Sequence, residues 1–202
     1  MNIAIVGASG AVGQELLKIL AERQFPITNL RLFGSARSAG TKYTFCGKEY
    51  TVELLQHGDL FHGIDIAFVS AGGSVSKEYA EDITRHGAIM IDNSSAFRMD
   101  ESCPLIVPEI NPEDIQQAIK EGGKRIIANP NCTTIIMAVC LKAIEELSHI
   151  KRVHVSSCQS ASGAGASAMA ELVEQYRHLS HEEGQLIDNS KFKVQNSKFP
   201  YQ

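Results

Sequence analysis

The chain has 202 residues, 44% of them hydrophobic and 21% charged, with a formal net charge of −4; it has apolar content enough for one large or two small buried cores and reads as a soluble globular protein. Lys and Arg are scattered singly, without the basic stripe that phosphate-backbone binding needs, which speaks against nucleic acid as a partner. The start, MNIAIVGASG, has no basic segment ahead of a short apolar run, and no run elsewhere approaches the ~20 apolar residues of a membrane span, so a cytoplasmic protein without membrane contact is expected.

In chain order, short β-branched runs alternate with longer amphipathic ones. NIAIV predicts a strand, and Ala11 to Arg23 a helix with Leu16, Leu17 and Leu20 as its core-facing stripe. LRLF, DIAFV, AIMID and RIIA predict four further strands, with helices from Ser76 to His86 and from Thr133 to Leu147. This alternation implies an α/β fold with a mostly parallel sheet and crossover helices. Beyond Ser148, KRVHVSSCQS predicts a new strand along which His154 alternates with Cys158. SGAGASAM predicts a small-residue turn, Ala168 to Leu179 a helix, and the polar stretch from His181 to Gln202 a loop. No internal repeat or low-complexity tract is visible.

The first chemical motif is Gly7-Ala8-Ser9-Gly10-Ala11-Val12-Gly13, directly after a strand and opening a helix. Glycines permit a tight turn and a close approach of backbone N–H groups to a pyrophosphate, and the helix N-terminus adds positive potential. The spacing is GxxGxxG rather than GxGxxG, and a turn serving packing alone is the alternative. At the end of the second strand an NAD-binding protein would present an acid to the ribose 2′-OH. Here Ser35-Ala36-Arg37-Ser38 follows, and a guanidinium flanked by hydroxyls suits a 2′-phosphate, so NADP is expected over NAD; a solvated surface arginine is the bland alternative. A second glycine turn around Ala71 and Gly72 follows DIAFV at the same sheet edge, where it serves either the cofactor or the cap of a helix. Asp92-Asn93-Ser94-Ser95-Ala96-Phe97-Arg98 leaves AIMI at that edge, and Arg98 behind two hydroxyls and an amide forms an anion cradle, unless it is simply solvated.

Five cysteines, odd in number and without a CxxC pair, predict reduced thiols and neither a disulfide framework nor a metal site. In IIANPNCTTII, Cys132 stands where a strand ends and a helix begins, and unpaired N–H groups and the macrodipole there favour a thiolate able to attack a carbonyl. A small residue placed at a helix start by chance is the alternative. Cys140 falls on the stripe Ile136, Cys140, Ala143, Ile144, Leu147 and is expected to be buried in the core. Cys46, Cys103 and Cys158 have no comparable setting.

GASGAVG, SARSAG, DNSSAFR, VPEIN, NPNCTT and CQSASGAG occur in the order and approximate spacing of aspartate-semialdehyde dehydrogenase, a family that the chain resembles over nearly its whole length. The resemblance implies NADPH-dependent reductive dephosphorylation of L-aspartyl 4-phosphate to the semialdehyde, a step toward lysine, methionine, threonine and diaminopimelate. It implies Cys132 as the nucleophile of a thioester and Arg98, with Asn93, as phosphate and substrate contacts. Gln159 would orient the substrate beside the cysteine. Ser9, Gly10, Ala11, Val12, Arg37 with Ser38, and Ser162 with Gly163 would contact NADP. The implied organisation is a Rossmann-type NADP-binding domain over 1–131 and the start of an α+β catalytic and dimerisation domain over 132–202, in an enzyme that forms homodimers or homotetramers. The family's catalytic histidine, carboxylate-binding arginine and long final helix are expected beyond Gln202. On that reading the chain is an N-terminal portion with little turnover of its own, and His178 and His181 are expected to be solvated. N-acetyl-glutamyl-phosphate reductase shares the fold and thioester chemistry but differs at NPNCTT. A short-chain dehydrogenase would need a YxxxK pair, and none of Tyr43, Tyr50, Tyr79, Tyr176 or Tyr201 has a lysine four residues on. A module that only binds NADP is the alternative from another class.

Overall fold

The computed structural model describes residues 1–181. In chain order these form β1 (Asn2–Val6), α1 (Ala11–Glu22), β2 (Asn29–Gly34), β3 (Lys42–Phe45), β4 (Lys48–Leu54), β5 (Ile66–Val69), α2 (Gly73–Thr84), β6 (Ile89–Asp92), α3 (Ile115–Ile119), β7 (Ile126–Ala128), α4 (Cys132–Leu147) and α5 (Ala166–His181), with short 3-10 turns at Pro112–Asp114 and Ala161–Ala164. The strands make one seven-stranded sheet in the order β3-β4-β2-β1-β5-β6-β7, parallel throughout except for the antiparallel pair β3 and β4.

The central strand shows why the sheet is buried on both faces. Ile3, Ala4, Ile5 and Val6 are all 0% exposed, and period-2 alternation sends them to two different cores. Ala4 and Val6 pack with Phe33, Phe61, Ile83 and Met90; Ile3 and Ile5 pack with Leu17, Leu20, Leu30 and Leu32. Each large apolar side chain so buried contributes roughly 1.5–3 kcal/mol before chain entropy is charged against it. The stripe expected on α1 is the face that meets the second core. α1 stops where Gln24 turns left-handed (φ 49) and the Phe25 N–H returns to the Leu20 carbonyl, closing the helix end.

The hairpin β3–β4 was not among the expected strands, although a signal for it exists. Two alternating runs are joined by Cys46 and Gly47 alone, and both take positive φ (48 and 76), the geometry of a two-residue hairpin turn. Of the later expectations, the helix near Ala168 is present as α5, but residues 151–160 form no strand and are exposed throughout. A strand needs a ladder partner, and among the described residues none lies beside this segment. The stretch 182–202, expected as a loop, lies outside the described residues. The chain divides into two compact units, Met1–Ser156 and from Ser157 onward. α4 belongs to the first, and Cys140 on it is exposed rather than buried. The stripe that was expected to face a core has Ile136 at 70% and Leu147 at 89% exposure, because no described element covers that side of the helix. No helix among the described residues is long and apolar enough to cross a membrane.

Candidate functional site

Parallel pairing of β2, β1, β5, β6 and β7 brings the loops that follow each of them to one edge of the sheet. After β1, Gly7 takes φ +88, and a Cβ there would collide with the Ser70 carbonyl oxygen, so the turns after β1 and β5 touch. A Cβ on Gly13 would collide with the Gly7 carbonyl, so α1 is packed directly on the turn. The N–H groups of Gly7 and Ala8 donate to the Phe33 carbonyl at 2.9 and 3.2 Å, and that of Gly10 to the Gly7 carbonyl at 3.0 Å. α1, which starts at Ala11 behind Gly10, has no side-chain cap and no acidic residue in its first turn. Ala11 and Val12 are exposed there. Ser9 Oγ is buried without a hydrogen-bond partner. A helix start with uncompensated positive potential beside an orphaned hydroxyl fits the pyrophosphate of a dinucleotide. α2 begins in the same way, after Gly72 at φ 92, again uncapped and without an acid; Ala71 precedes it at the same edge.

After β2 the chain folds back at once. The N–H groups of Ser38 and Ala39 donate to the Ser35 carbonyl at 2.9 and 3.0 Å, Ser38 Oγ reaches the same oxygen at 3.2 Å, and Gly34 has no Cβ because Ser38 Oγ occupies that space. Arg37 stands exposed on this turn between the two hydroxyls.

The loops after β6 and β7 are interlocked. Arg98, half-buried, donates from Nε to the Asn129 carbonyl at 2.9 Å and from one terminal nitrogen to the Asn93 carbonyl at 3.3 Å. Asn129 donates its side-chain amide to Asn93 Oδ1 at 2.6 Å, and Asn93 reaches Ser70 Oγ at 3.5 Å. The structure therefore brings Arg98 and Asn93 to the segment that carries Cys132, three residues past Asn129. Cys132 is exposed and is the first residue of α4. Asn131 caps that helix: its Oδ1 accepts from the Thr133 N–H at 3.0 Å and from Thr133 Oγ1 at 2.5 Å. Asn129 is the tie that sequence reading missed, and no local signal announces it, since its side-chain partner is 36 residues away.

In the second unit, Gln159, Ser162 and Gly163 form a group of their own. The 3-10 turn Ala161–Ala164 folds so that a Cβ on Gly163 would lie 2.5 Å from Gln159 Nε2, and Ser160 Oγ and Ser162 Oγ are 2.6 Å apart.

The shifted ionisable groups lie elsewhere. Burial pushes the Cys103 thiol up, as expected for a core cysteine. Lys124 and Ser102 hold the Asp100 carboxyl well below the usual carboxylate range. The hydrogen bond that His57 Nδ1 donates to the Asp82 carboxylate raises the pKa of His57. His178 is exposed and lies 3.2 Å from Glu174. Among the described residues no group of His, Cys, Asp and Glu is arranged to hold a metal. Concavities of about 250 Å³ beside α1 and about 450 Å³ beside the end of α2 include none of the candidate site residues.

A parallel sheet with a glycine turn between its central strand and an uncapped helix defines a Rossmann-type dinucleotide-binding protein. The family model for the semialdehyde dehydrogenase NAD binding domain matches residues 2–118, and that for the semialdehyde dehydrogenase dimerisation domain matches 141–201. The chain belongs to the semialdehyde dehydrogenase family. It is 55% identical to the aspartate-semialdehyde dehydrogenase of Aquifex aeolicus, over 86% of this chain and 50% of the relative. It is 48% identical to that of Bacillus subtilis, over 91% and 51%. It thus spans about half the length of the curated relatives it matches. A crystal structure of aspartate semialdehyde dehydrogenase II from Vibrio cholerae superposes with a TM-score of 0.81 at 42% identity, covering 92% of this chain and 54% of that one. The Candida albicans enzyme, solved with NADP, superposes with a TM-score of 0.61 at 26% identity, covering 74% and 48%.

Proposed function

We propose that this chain carries the NADP-binding part and the nucleophile of an aspartate-semialdehyde dehydrogenase, which converts L-aspartyl 4-phosphate to L-aspartate 4-semialdehyde through a thioester on Cys132. The observation that carries the reading is the lock between Arg98 and Asn129, which stations a guanidinium beside the segment leading to an exposed thiol at a helix start. The Cys132 thiolate adds to the acyl carbon, the oxyanion is stabilised by N–H groups at the start of α4, and the C–O bond to phosphate breaks with its electron pair leaving on the phosphate. Arg98, oriented through Nε, holds that phosphate with its remaining donors, and Asn93, whose carbonyl accepts from the same guanidinium, contacts the substrate beside it. Ser9, Gly10, Ala11, Val12 and Gly13 receive the pyrophosphate, with Gly7 shaping the turn. Arg37 with Ser35 and Ser38 takes the 2′-phosphate, and Ala71, Gly72, Ser162 and Gly163 supply further nucleotide contacts. Bound NADPH supplies the hydride that takes the thioester to the aldehyde level. Gln159 orients the substrate. In this reading the cofactor domain occupies 1–131, the catalytic domain begins at Cys132, and the match to the dimerisation model supports a homodimer.

The test uses the 202-residue chain. Cys132 is alkylated with anionic iodoacetate and with neutral iodoacetamide, and sites are read by peptide mapping. Relative to the same ratio for a free thiol, the wild type favours iodoacetate at Cys132 by roughly five-fold, the scale of one partly solvated charge at close range, and Arg98→Ala abolishes the preference. Equal ratios at Cys132 and at the exposed Cys140 and Cys158 would defeat the reading.

A further inference from the structure

Asp92 closes β6 and is 0% exposed, and no cationic side chain among the described residues pairs with it. A carboxyl taken out of water without such a partner is costly unless donors converge on it. Three do. Ser76 Oγ, itself on a fully buried residue in the first turn of α2, donates to Asp92 Oδ1 at 2.6 Å. The Ser94 N–H donates to Oδ1 at 3.2 Å and the Ser94 hydroxyl to Oδ2 at 2.7 Å. Ser94 Oγ in turn accepts the Ala96 N–H at 3.0 Å, which shapes the turn leading to Arg98. The Asp92 backbone carbonyl accepts the Asn129 N–H at 2.8 Å.

One residue thus ties the helix start after Gly72, the loop that carries Arg98 and the strand end that leads to Cys132. An apolar side chain would fill the same space beside the core without the desolvation cost, but it would leave the Ser94 N–H unanswered and the turn free to move. We infer that Asp92 is a positioning residue, which holds the Arg98 loop in register with the Asn129–Cys132 segment and so sets where the guanidinium stands relative to the thiol. The inference rests on the roles proposed above for Arg98 and Cys132.

The experiment is the iodoacetate-to-iodoacetamide ratio at Cys132 in the full chain, measured for wild type, Asp92→Asn and Ser94→Ala alongside a thermal melt. Asp92→Asn keeps the shape but turns one acceptor into a donor that faces the Ser94 hydroxyl. The expected result is an iodoacetamide rate within about two-fold of wild type and an anion preference that falls most of the way to that of Arg98→Ala. A role confined to stability would lower the melting temperature and leave the ratio untouched. If Asp92→Asn shows no cooperative melt, Ser94→Ala, which cuts the same lock at its half-buried end, decides the matter. A folded variant of either kind that keeps the wild-type ratio overturns the inference and leaves the Arg98 reading standing. A wild type with no anion preference removes the Arg98 reading and this inference with it.

Discussion

A single methyl group separates the glycines that build the cofactor turn from those that merely sit in it. A Cβ on Gly13 meets backbone, the Gly7 oxygen and the Ala8 Cα at 2.7 Å, whereas one on Gly10 meets only the Gly7 oxygen at 3.3 Å. Gly13→Ala is therefore expected to destabilise by about 1–3 kcal/mol, in the range of overpacking in a dense core, and to weaken nucleotide binding, with Gly10→Ala much milder on both counts. Urea denaturation and nucleotide titration of the two variants check the order, and equal effects would refute it. At Arg37 the expected outcome concerns selectivity. If Arg37 holds the 2′-phosphate as proposed, Arg37→Ala lowers affinity for NADPH by roughly ten-fold or more while leaving NADH binding nearly unchanged. A parallel loss for both cofactors would place Arg37 elsewhere than on that phosphate. The GASGAVG turn and Arg98 were legible because each announces itself in a few consecutive residues; Asn129 was not, because its function is a pairing across the sheet.

α4 shows at the scale of an element what periodicity can and cannot say. Its start was legible from the switch to a helical pattern at Cys132, and the structure adds the cap by Asn131. Removing it by Asn131→Ala leaves the Thr133 N–H without its acceptor and is expected to cost about 1 kcal/mol, measured as a shift of the urea midpoint at constant slope. An unchanged midpoint would mean that the first turn is held by other contacts. The burial of its stripe was not legible. A helical repeat of Ile136, Cys140 and Ile144 specifies a face, and burying that face requires a second surface that the repeat does not encode. The segment 151–160 failed as a strand for the same reason, since a strand is completed by its neighbour.

At the scale of the whole molecule, the loop before β5 is fastened to the flank of α2 by His57, whose Nδ1 lies 2.6 Å from Asp82 Oδ2 and whose ring stacks on Tyr79 at 4.7 Å. The Asp82 hydrogen bond raises the folded-state pKa of His57 above its unfolded value. The stability it contributes is fully present below the unfolded pKa, near pH 6.5, and is lost as pH rises through the raised folded value. The melting temperature of the wild type should therefore fall, relative to His57→Gln, as pH rises from about 6.5 through the raised folded-state value. Parallel pH profiles for the two proteins would show that the contact carries no linkage. The uncovered face of α4, with Ile144 51% and Leu147 89% exposed, leads to a further expectation of concentration-dependent self-association or binding of an apolar dye. A dye-silent monomer in sedimentation would contradict it.

The sequence by itself determined the alternation of strands and helices that implies a mostly parallel sheet, the glycine turn, the helix start at Cys132 and the family, because all of these rest on periods and motifs contained within short segments. Only the tertiary structure decided that the loops after β5, β6 and β7 knit together through Asp92, Asn93 and Asn129, and that the α4 stripe stays exposed. Hydrogen bonds between loops and the covering of a face are relations between segments distant along the chain. They come into being only when parallel pairing carries those segments to the same edge.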